Sequence, residues 1–186
     1  MRPVPPPGTT IGLMGGSFNP AHDGHLHVAR MSARALGLDA VWFLVSPQNP
    51  LKPASGMAPQ AERLATARAL VTASGARDIV VTGIEADLRT TRTIDTLQAL
   101  KKRYPLVHFV WLMGADNMVQ FPRWAKWREI TRTVPIAVYP RPGFTLKARL
   151  SPASDAKLLR HLAAPALVFL EGRTHNASAT AIRAAS

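Results

Sequence analysis

Residues Gly12 to His25 read GLMGGSFNPAHDGH, and the rest of the chain is organised around this stretch. It starts as the end of an apolar strand, passes through the pair Gly15 and Gly16, and reaches His22 and His25 where a helical pattern begins. Because glycine has no Cβ, we expect the backbone at the pair to turn sharply and to approach a ligand closely. The unpaired N–H groups and the positive dipole end of a helix N-terminus attract anions. The stretch therefore predicts a phosphate site between a first strand and a first helix.

The residues between the glycines and the histidines are typical of a turn. Ser17 and Asn19 can hydrogen-bond to turn backbone, and Pro20 stiffens the exit toward the helix. The dinucleotide fingerprint GxGxxG does not occur in this stretch, and GxxxxGK[ST] occurs nowhere in the chain. The predicted phosphate site is therefore of a different type from these two common loops.

Length and composition favour one globular domain. The chain has 186 residues, enough for a sizeable core, and 47% of them are hydrophobic. We expect the domain to span 1–186, with residues 1–8 as a disordered lead-in that lacks the apolar segment of a secretory signal. The absence of Cys excludes disulfides and thiolate metal sites and fits a reducing compartment such as the cytoplasm. No apolar run approaches the ~20 residues of a membrane span.

Basic residues strongly outnumber acidic ones. The chain has 23 Lys and Arg against 11 Asp and Glu, a net charge of +12. Such an excess predicts a polyanionic partner, and both nucleic acid and a nucleoside triphosphate are candidates. However, the basic residues are spread along the whole chain without a basic tail, and a genomic preference for Arg would have the same effect. We therefore do not favour nucleic-acid binding as the main function.

Apolar runs alternate with helical patterns along the chain. The run AVWFLV at 40–45 is typical of a strand buried on both faces of a parallel sheet. Residues 24–36 carry an apolar stripe at helical spacing, and Gly37 is suited to end that helix. The alternation predicts an α/β fold, a doubly wound parallel sheet with helices on both faces. We predict strands at 9–14, 40–45, 79–82, 107–113, 135–139 and 166–170, and helices at 24–36, 60–72, 93–104, 154–163 and opening near 178.

Several polar residues follow predicted strands, where ligands bind in open α/β sheets. Lys52 is the one charge in the long loop 46–59; it is either a solvated lysine or, as we favour here, a phosphate contact. Asp116 could bond a ribose hydroxyl or hold a metal, although turn chemistry explains it equally well. Thr93 is a candidate helix N-cap. Trp124 could stack on a flat heterocycle or simply anchor the core.

The segment NASATAIRA, at 176–184, closes the chain. Ser178 and Thr180 are placed to open a terminal helix, with Arg183 about one turn later. The two hydroxyls are either simple N-caps or, with the guanidinium, an anion cradle. The HxxH spacing of His22 and His25 also suits a transition-metal pair, but the nearby sequence offers no third ligand.

These motifs together resemble one family. GGSFNPAHDGH is similar to the GG[ST]FxPxHxGH signature of bacterial nicotinate-nucleotide adenylyltransferases, which belong to the nucleotidyltransferases with an (H/T)xGH motif. VSPQNPLKP, TRTIDTL, LMGADNMVQFPRW and NASATAIRA resemble, in order, the family's substrate loop, its YTxxTL helix start, its (I/M)GxDxxxxFxxW segment and its IS(S/A)TxIR motif. The resemblance covers residues 12–183 and implies a Rossmann-like fold of the nucleotidyltransferase type.

The implied reaction transfers AMP from ATP to nicotinate mononucleotide, yielding nicotinate adenine dinucleotide and pyrophosphate in NAD biosynthesis. By this resemblance His22 and His25 are the catalytic residues, at the α- and β-phosphates. The resemblance implies ATP contacts at Gly15, Gly16, Ser17, Phe18, Lys52, Asp116, Ser178, Thr180 and Arg183, and nicotinate mononucleotide contacts at Asn19, Ser46, Thr93 and Trp124.

The same resemblance implies Mg²⁺ carried by ATP, with no protein-held metal, and leaves room for a homo-oligomer. Mg²⁺ dehydrates reluctantly, so phosphates and waters would bind most of it. Two alternatives stay open at this point. One is a sister adenylyltransferase acting on nicotinamide mononucleotide or another phosphorylated acceptor, and the other is a basic nucleic-acid-binding module.

Overall fold

The computed structural model describes residues 4–47, 56–140, 164 and 166–171. The predictions made for Lys52, Ser178, Thr180, Arg183 and the helix at 154–163 lie outside these residues. Within them, the strands are β1 (Thr10–Gly16), β2 (Ala40–Val45), β3 (Ile79–Thr82), β4 (His108–Gly114), β5 (Ile136–Tyr139) and β6 (Leu167–Phe169). The α-helices are α1 (Asp23–Leu36), α2 (Gln60–Ala73), α3 (Ile84–Leu88), α4 (Thr93–Arg103), α5 (Ala115–Gln120) and α6 (Trp127–Thr133), with a short 3-10 helix at Phe121–Arg123.

All neighbouring strands run parallel, in the order β3-β2-β1-β4-β5-β6. β1 therefore lies between β2 and β4, at the point where the strand order reverses. In open α/β sheets this switch point leaves a crevice at the carboxyl ends of the strands. Ser17 directly follows β1 and Ala115 directly follows β4, so both lie at this crevice. The predicted doubly wound parallel sheet is confirmed.

The side chains of β2 show how the sheet forms two cores. Val41 and Phe43 pack on one face, in a cluster that includes buried residues of α1 and α2. Trp42 and Leu44 pack on the other face, in a cluster with α4 and α6. Alternate residues of a strand point to opposite faces, so a strand covered on both sides must be apolar throughout. The predicted bounds of β2 and β3 are confirmed.

Helix α1 carries the two histidines of the signature and is anchored at both ends. Its apolar stripe, which includes Leu26, Ala29 and Leu36, is buried against the sheet. Gly37 ends the helix with φ 60°, a left-handed conformation that glycine adopts without steric cost. The helix begins at Asp23, one residue before the predicted start.

The glycine pair does not form the predicted turn. Gly15 and Gly16 lie inside β1 and pair with Leu44 and Val45 of β2. A Cβ on Gly15 would lie 2.5 Å from Cη2 of Trp111, whose ring on β4 covers this position. Glycine at 15 therefore makes room for a neighbouring side chain, and the chain turns only after Gly16.

The chain between β3 and β4 forms two helices, and one prediction made for it needs correction. The polar segment after β3 forms the short helix α3, which buries Ile84 and Glu85. Helix α4 has Arg92 as its N-cap residue, and Thr93 is the first helical residue, so the prediction that Thr93 is the N-cap is wrong. The reason is local: Arg92 has the extended backbone of an N-cap, with φ −112° and ψ 138°.

The described stretch before β1 is attached to the domain. The N–H of Gly8 donates to the carbonyl oxygen of Leu106 at 2.7 Å. Within the stretch, the hydroxyl of Thr9 donates to the carbonyl oxygen of Pro6 at 2.8 Å. None of the helices described is long and apolar enough to cross a membrane.

Replacing Gly15 by Ala should destabilise the fold by about 1–3 kcal/mol, because the new methyl group meets the ring of Trp111 in a closely packed core. Urea unfolding of the wild type and G15A measures this loss. In a W111L background the clash is removed, so the same Gly15→Ala change should cost clearly less. An equal cost in both backgrounds would contradict the packing explanation.

Candidate active site

His22 and His25 cap helix α1 reciprocally. His22 is the N-cap residue, and its Nδ1 accepts the N–H of Gly24 at 3.1 Å. The N–H of His22 in turn donates to Nδ1 of His25 at 3.2 Å. A ring nitrogen that accepts an N–H carries no proton, so the proton of each neutral ring is on Nε2. Both imidazoles are therefore set as Nε2–H donors at a helix N-terminus.

Aromatic contacts fix the two imidazole rings in place. The rings of His22 and His25 are 3.9 Å apart between centroids, and Phe18 lies 4.8 Å from His25. Phe18 stacks on Phe43 of β2 at 4.9 Å and is 2% exposed. The side chain of Phe18 therefore supports His25 from the core, and the ATP contact predicted for this residue would have to come from its backbone.

Ser46 and Asn19 connect the loop after β1 with the segment after β2. Ser46 donates its N–H and its hydroxyl to the carbonyl oxygen of Gly16, at 3.0 and 3.2 Å. The amide of Asn19 donates to the carbonyl oxygen of Gly56 at 3.0 Å and accepts the N–H of Ala58 at 3.2 Å. Both residues thus lie at the predicted site, with described hydrogen bonds to protein backbone.

Sequence reasoning missed Arg63, a buried arginine of α2. Its guanidinium donates to the carbonyl oxygens of Ser17, Pro47 and Ala58. A signal was present in the sequence, because Arg63 stands four residues before Ala67 and therefore on the inward stripe of the helix. An arginine at such a position must find several acceptors inside the protein.

Asp116 lies where the sequence predicted it, just past the end of β4. Gly114 is the N-cap residue of α5, and Asp116 stands in the first turn of that helix. Because β4 pairs directly with β1, this carboxylate is at the same edge of the sheet as the loop with the two histidines. The position suits a ribose hydroxyl at the switch point.

Trp124 connects to the centre of the sheet through other aromatic rings. Its ring meets Trp111 edge-on at 6.0 Å and Phe121 at 5.5 Å between centroids. Phe121 is fully buried, as expected for a core anchor, whereas Trp124 stays partly exposed. Trp111 lies over Gly15, so this cluster extends from β1 to the partly exposed Trp124.

Thr93 begins α4, one turn before Thr96, whose hydroxyl binds a buried carboxyl group. Glu85 accepts a hydrogen bond from the hydroxyl of Thr96 at 3.1 Å, and Thr96 is itself 2.8 Å from the hydroxyl of Thr90. Burial raises the pKa of Glu85 to about 7, and the hydrogen bond from Thr96 partly opposes this rise. This network joins α3 to the start of α4.

The HxxH pair serves helix capping through both Nδ1 atoms, which accounts for its spacing without a metal. In the part of the chain that the structure describes, no three His, Cys, Asp or Glu side chains gather around a common point. Two Nε2–H donors at a helix N-terminus can bind a phosphate group.

Glu85 should make stability depend on pH. Its folded-state pKa lies above the value of the free side chain, 4.5, so the folded protein holds this proton more tightly than the unfolded chain. The contribution of protonated Glu85 to the free energy of unfolding is full below about pH 4.5 and is lost as the pH rises through about 7, an effect of the order of 3 kcal/mol.

The variant E85Q keeps an acceptor for Thr96 but cannot titrate, so its free energy of unfolding should fall less than that of the wild type between about pH 5 and about pH 8. Chemical denaturation across this range measures the difference. E62Q, at an exposed position of α2, is the matched control and should follow the wild type. Parallel curves for E85Q and the wild type would contradict the assignment.

Residues 13–185 match the family model described as cytidylyltransferase-like. A protein of Parvibaculum lavamentivorans named "Probable nicotinate-nucleotide adenylyltransferase" is 60% identical, over 95% of this chain and 92% of its own length. A protein of Cereibacter sphaeroides with the same name is 48% identical, over 94% of this chain and 96% of its own length.

The fold also matches solved structures. Plasmodium falciparum nicotinic acid mononucleotide adenylyltransferase complexed with NaAD superposes with a TM-score of 0.74 at 16% identity, over 95% of this chain and 83% of that one. The same enzyme complexed with APC has a TM-score of 0.72 at 15% identity. These structures support the fold, and the relatives of high identity support the family. The chain therefore belongs to the cytidylyltransferase-like family and, within it, to the group of nicotinate-nucleotide adenylyltransferases.

Proposed function

We propose that this protein transfers AMP from ATP to nicotinate mononucleotide, forming nicotinate adenine dinucleotide and pyrophosphate. The observation that carries the proposal is the reciprocal cap at α1, which sets both imidazoles as Nε2–H donors beside the β1–β4 crevice. The relatives' names and the NaAD complex of the Plasmodium enzyme support the same reaction.

The chemistry needs positioning and charge stabilisation. A 5′-phosphate oxygen of nicotinate mononucleotide attacks the α-phosphorus of ATP, a new P–O bond forms, and the bond to the bridging α–β oxygen breaks. The electron pair of that bond leaves with pyrophosphate. The attacking phosphate has a second pKa of ~6, so it is mostly dianionic at neutral pH and needs no general base. The protein then contributes donors for the charge that builds on the phosphates.

On the ATP side, the Nε2–H groups of His22 and His25 and the N-terminus of α1 are the proposed donors to the α- and β-phosphates. Asp116 is proposed to bond a ribose hydroxyl. The remaining ATP contacts proposed from the family resemblance are Gly15, Gly16, Ser17, Phe18, Lys52, Ser178, Thr180 and Arg183.

On the acceptor side, Thr93 and Trp124 are proposed to frame the nicotinate ring, with Asn19 and Ser46 near its phosphoribosyl group. The partly exposed ring of Trp124 at the end of a buried aromatic cluster supports stacking on a flat heterocycle. Backbone N–H groups are the expected partners of the nicotinate carboxylate.

Mg²⁺ is proposed to enter as part of the ATP substrate, bound mainly by phosphates and waters. We also propose a cytoplasmic location. A homo-oligomer remains a hypothesis, which sedimentation experiments can test.

The proposal is tested by pyrophosphate release from ATP and Mg²⁺ with nicotinate mononucleotide or nicotinamide mononucleotide as acceptor. We expect turnover that requires all three components, with a strong preference for the acid form. Equal rates would retain the reaction but remove the carboxylate pocket near Thr93 and Trp124. No turnover with either acceptor would contradict the proposed function, and steep salt-dependent binding of nucleic acid would then favour the alternative class.

Replacing His25 or His22 by Asn separates capping from catalysis. At both positions Asn offers Oδ1 as an acceptor near the position of Nδ1, and at the N-cap position 22 it is also a favoured residue. Asn has no donor at the position of Nε2. We expect H25N to lose ~10²-fold or more in kcat, with H22N affected in the same direction, while thermal unfolding stays close to that of the wild type.

The matched control is H108N, at an exposed histidine at the start of β4, on the opposite edge of the sheet. This variant should keep full activity. A near-normal kcat for H25N would show that its imidazole only caps the helix.

A further inference from the structure

We propose that Arg63 is a positioning residue for the nucleotidyl transfer, because its guanidinium locks the loop after β1 to both ends of the segment between β2 and α2. This inference rests on the proposed function for its kinetic consequence. The geometry itself is independent of that function.

Arg63 uses three different nitrogens to bind three different carbonyl oxygens. Nε donates to the carbonyl oxygen of Ala58 at 2.8 Å, one Nη donates to Ser17 at 2.6 Å, and the other donates to Pro47 at 2.9 Å. The planar guanidinium holds these donors at fixed angles, so the three acceptors are fixed relative to one another. A lysine has one terminal nitrogen and cannot reproduce this arrangement.

Burying the charged guanidinium of Arg63 costs folding free energy, so a role limited to filling space in the core does not account for an arginine here. Its side chain is 2% exposed, and burial lowers its pKa. All three hydrogen-bond acceptors are neutral carbonyl oxygens. A buried charge with such partners costs free energy that an apolar residue on the same stripe as Ala67 and Val71 would avoid. What arginine adds at this position is the set of hydrogen bonds that holds Ser17, Pro47 and Ala58 together.

The three carbonyl groups belong to the loops that line the proposed site. Ser17 is the first residue after β1, and the chain from there leads directly to His22. Pro47 and Ala58 stand at the two ends of the segment that joins β2 to α2. Arg63 therefore couples the position of the imidazole donors to the two described ends of that segment, which include Ser46, a proposed acceptor contact.

Two amide side chains strengthen the same connection. Gln60, one turn before Arg63, donates to the carbonyl oxygen of Val45 at 2.8 Å. Asn19 joins the first loop to Gly56 and Ala58, as described above. We call these hydrogen bonds of Arg63, Gln60 and Asn19 the junction. A displacement of about 1 Å between reacting groups can cost ~10²-fold in rate, so a loosened junction should reduce the catalytic rate before it unfolds the protein.

The kinetic test compares R63M and R63K with R68M and R68K. Arg68 is exposed on the same helix, so it provides the matched control. We expect both Arg63 variants to lose about 10-fold to 10²-fold in kcat/KM at a temperature where circular dichroism shows them folded, and both Arg68 variants to resemble the wild type. Near-normal kinetics of R63K would overturn the proposal, because a positive charge without the three fixed donors would then be enough for full activity.

Chemical rescue distinguishes positioning from a general loss of stability. In R63A, millimolar guanidinium should fill the vacated site and restore part of kcat/KM, whereas the same addition should not help R68A. Guanidinium that fails to increase the activity of folded R63A would contradict the positioning role.

Hydrogen exchange tests the junction without any turnover. The N–H of Ser46 donates to Gly16, and the N–H of Ala58 donates to Asn19. Both amides should exchange faster in R63M than in R68M, while those of β1 and β4 stay protected. Unchanged exchange at Ser46 and Ala58 would overturn the proposal. The wild type could show no adenylyl transfer while the Ser46 and Ala58 amides still exchange faster in R63M. In that case the proposed function is wrong, but the structural role of Arg63 in joining the loops is retained.

Discussion

The site depends on the pairing of β1 with a strand on each side. Ile11 to Leu13 are held between β2 and β4, so the strand cannot shift without breaking hydrogen bonds on both edges. Its carboxyl end is therefore a fixed point at the place where the strand order reverses. The helix that follows must start close to this point, and its N-terminus is then directed at the crevice.

Beyond the strand ends, side chains hold the loops where regular backbone pairing stops. In the loop after β1, Arg63 binds the carbonyl oxygen of Ser17, and the side chain of Asn19 accepts the N–H of Ala58. Ser46, the first residue after β2, donates its hydroxyl to the carbonyl oxygen of Gly16. Polar groups buried in such places must be satisfied, and here each of them joins two segments. The same contacts that satisfy these groups also bring the loop after β1 and the two described ends of the segment between β2 and α2 together.

The sequence allowed much of the fold and the position of the site to be predicted. The apolar run of β2 and the helical stripe of α1 are local patterns that depend little on their surroundings, and the structure confirms them. The pair Gly15 and Gly16 was misinterpreted as a turn, because nothing in the local sequence shows that Trp111 of a distant strand lies across Gly15. For Thr93, the error of one residue arose because Arg92 adopts the capping conformation without using its side chain.

The sequence by itself determined the alternation of strands and helices and the placing of His22 and His25 at the start of a helix, since hydrophobic periodicity and turn residues act over a few positions. Only the tertiary structure decided which strands are neighbours, and hence that Asp116 shares an edge with the histidine loop. It also decided the contacts of Arg63, whose three acceptors lie 5, 16 and 46 residues away from it in the chain. Contacts of this kind exist only after the sheet has formed, because the sheet brings the ends of separate strands to one place.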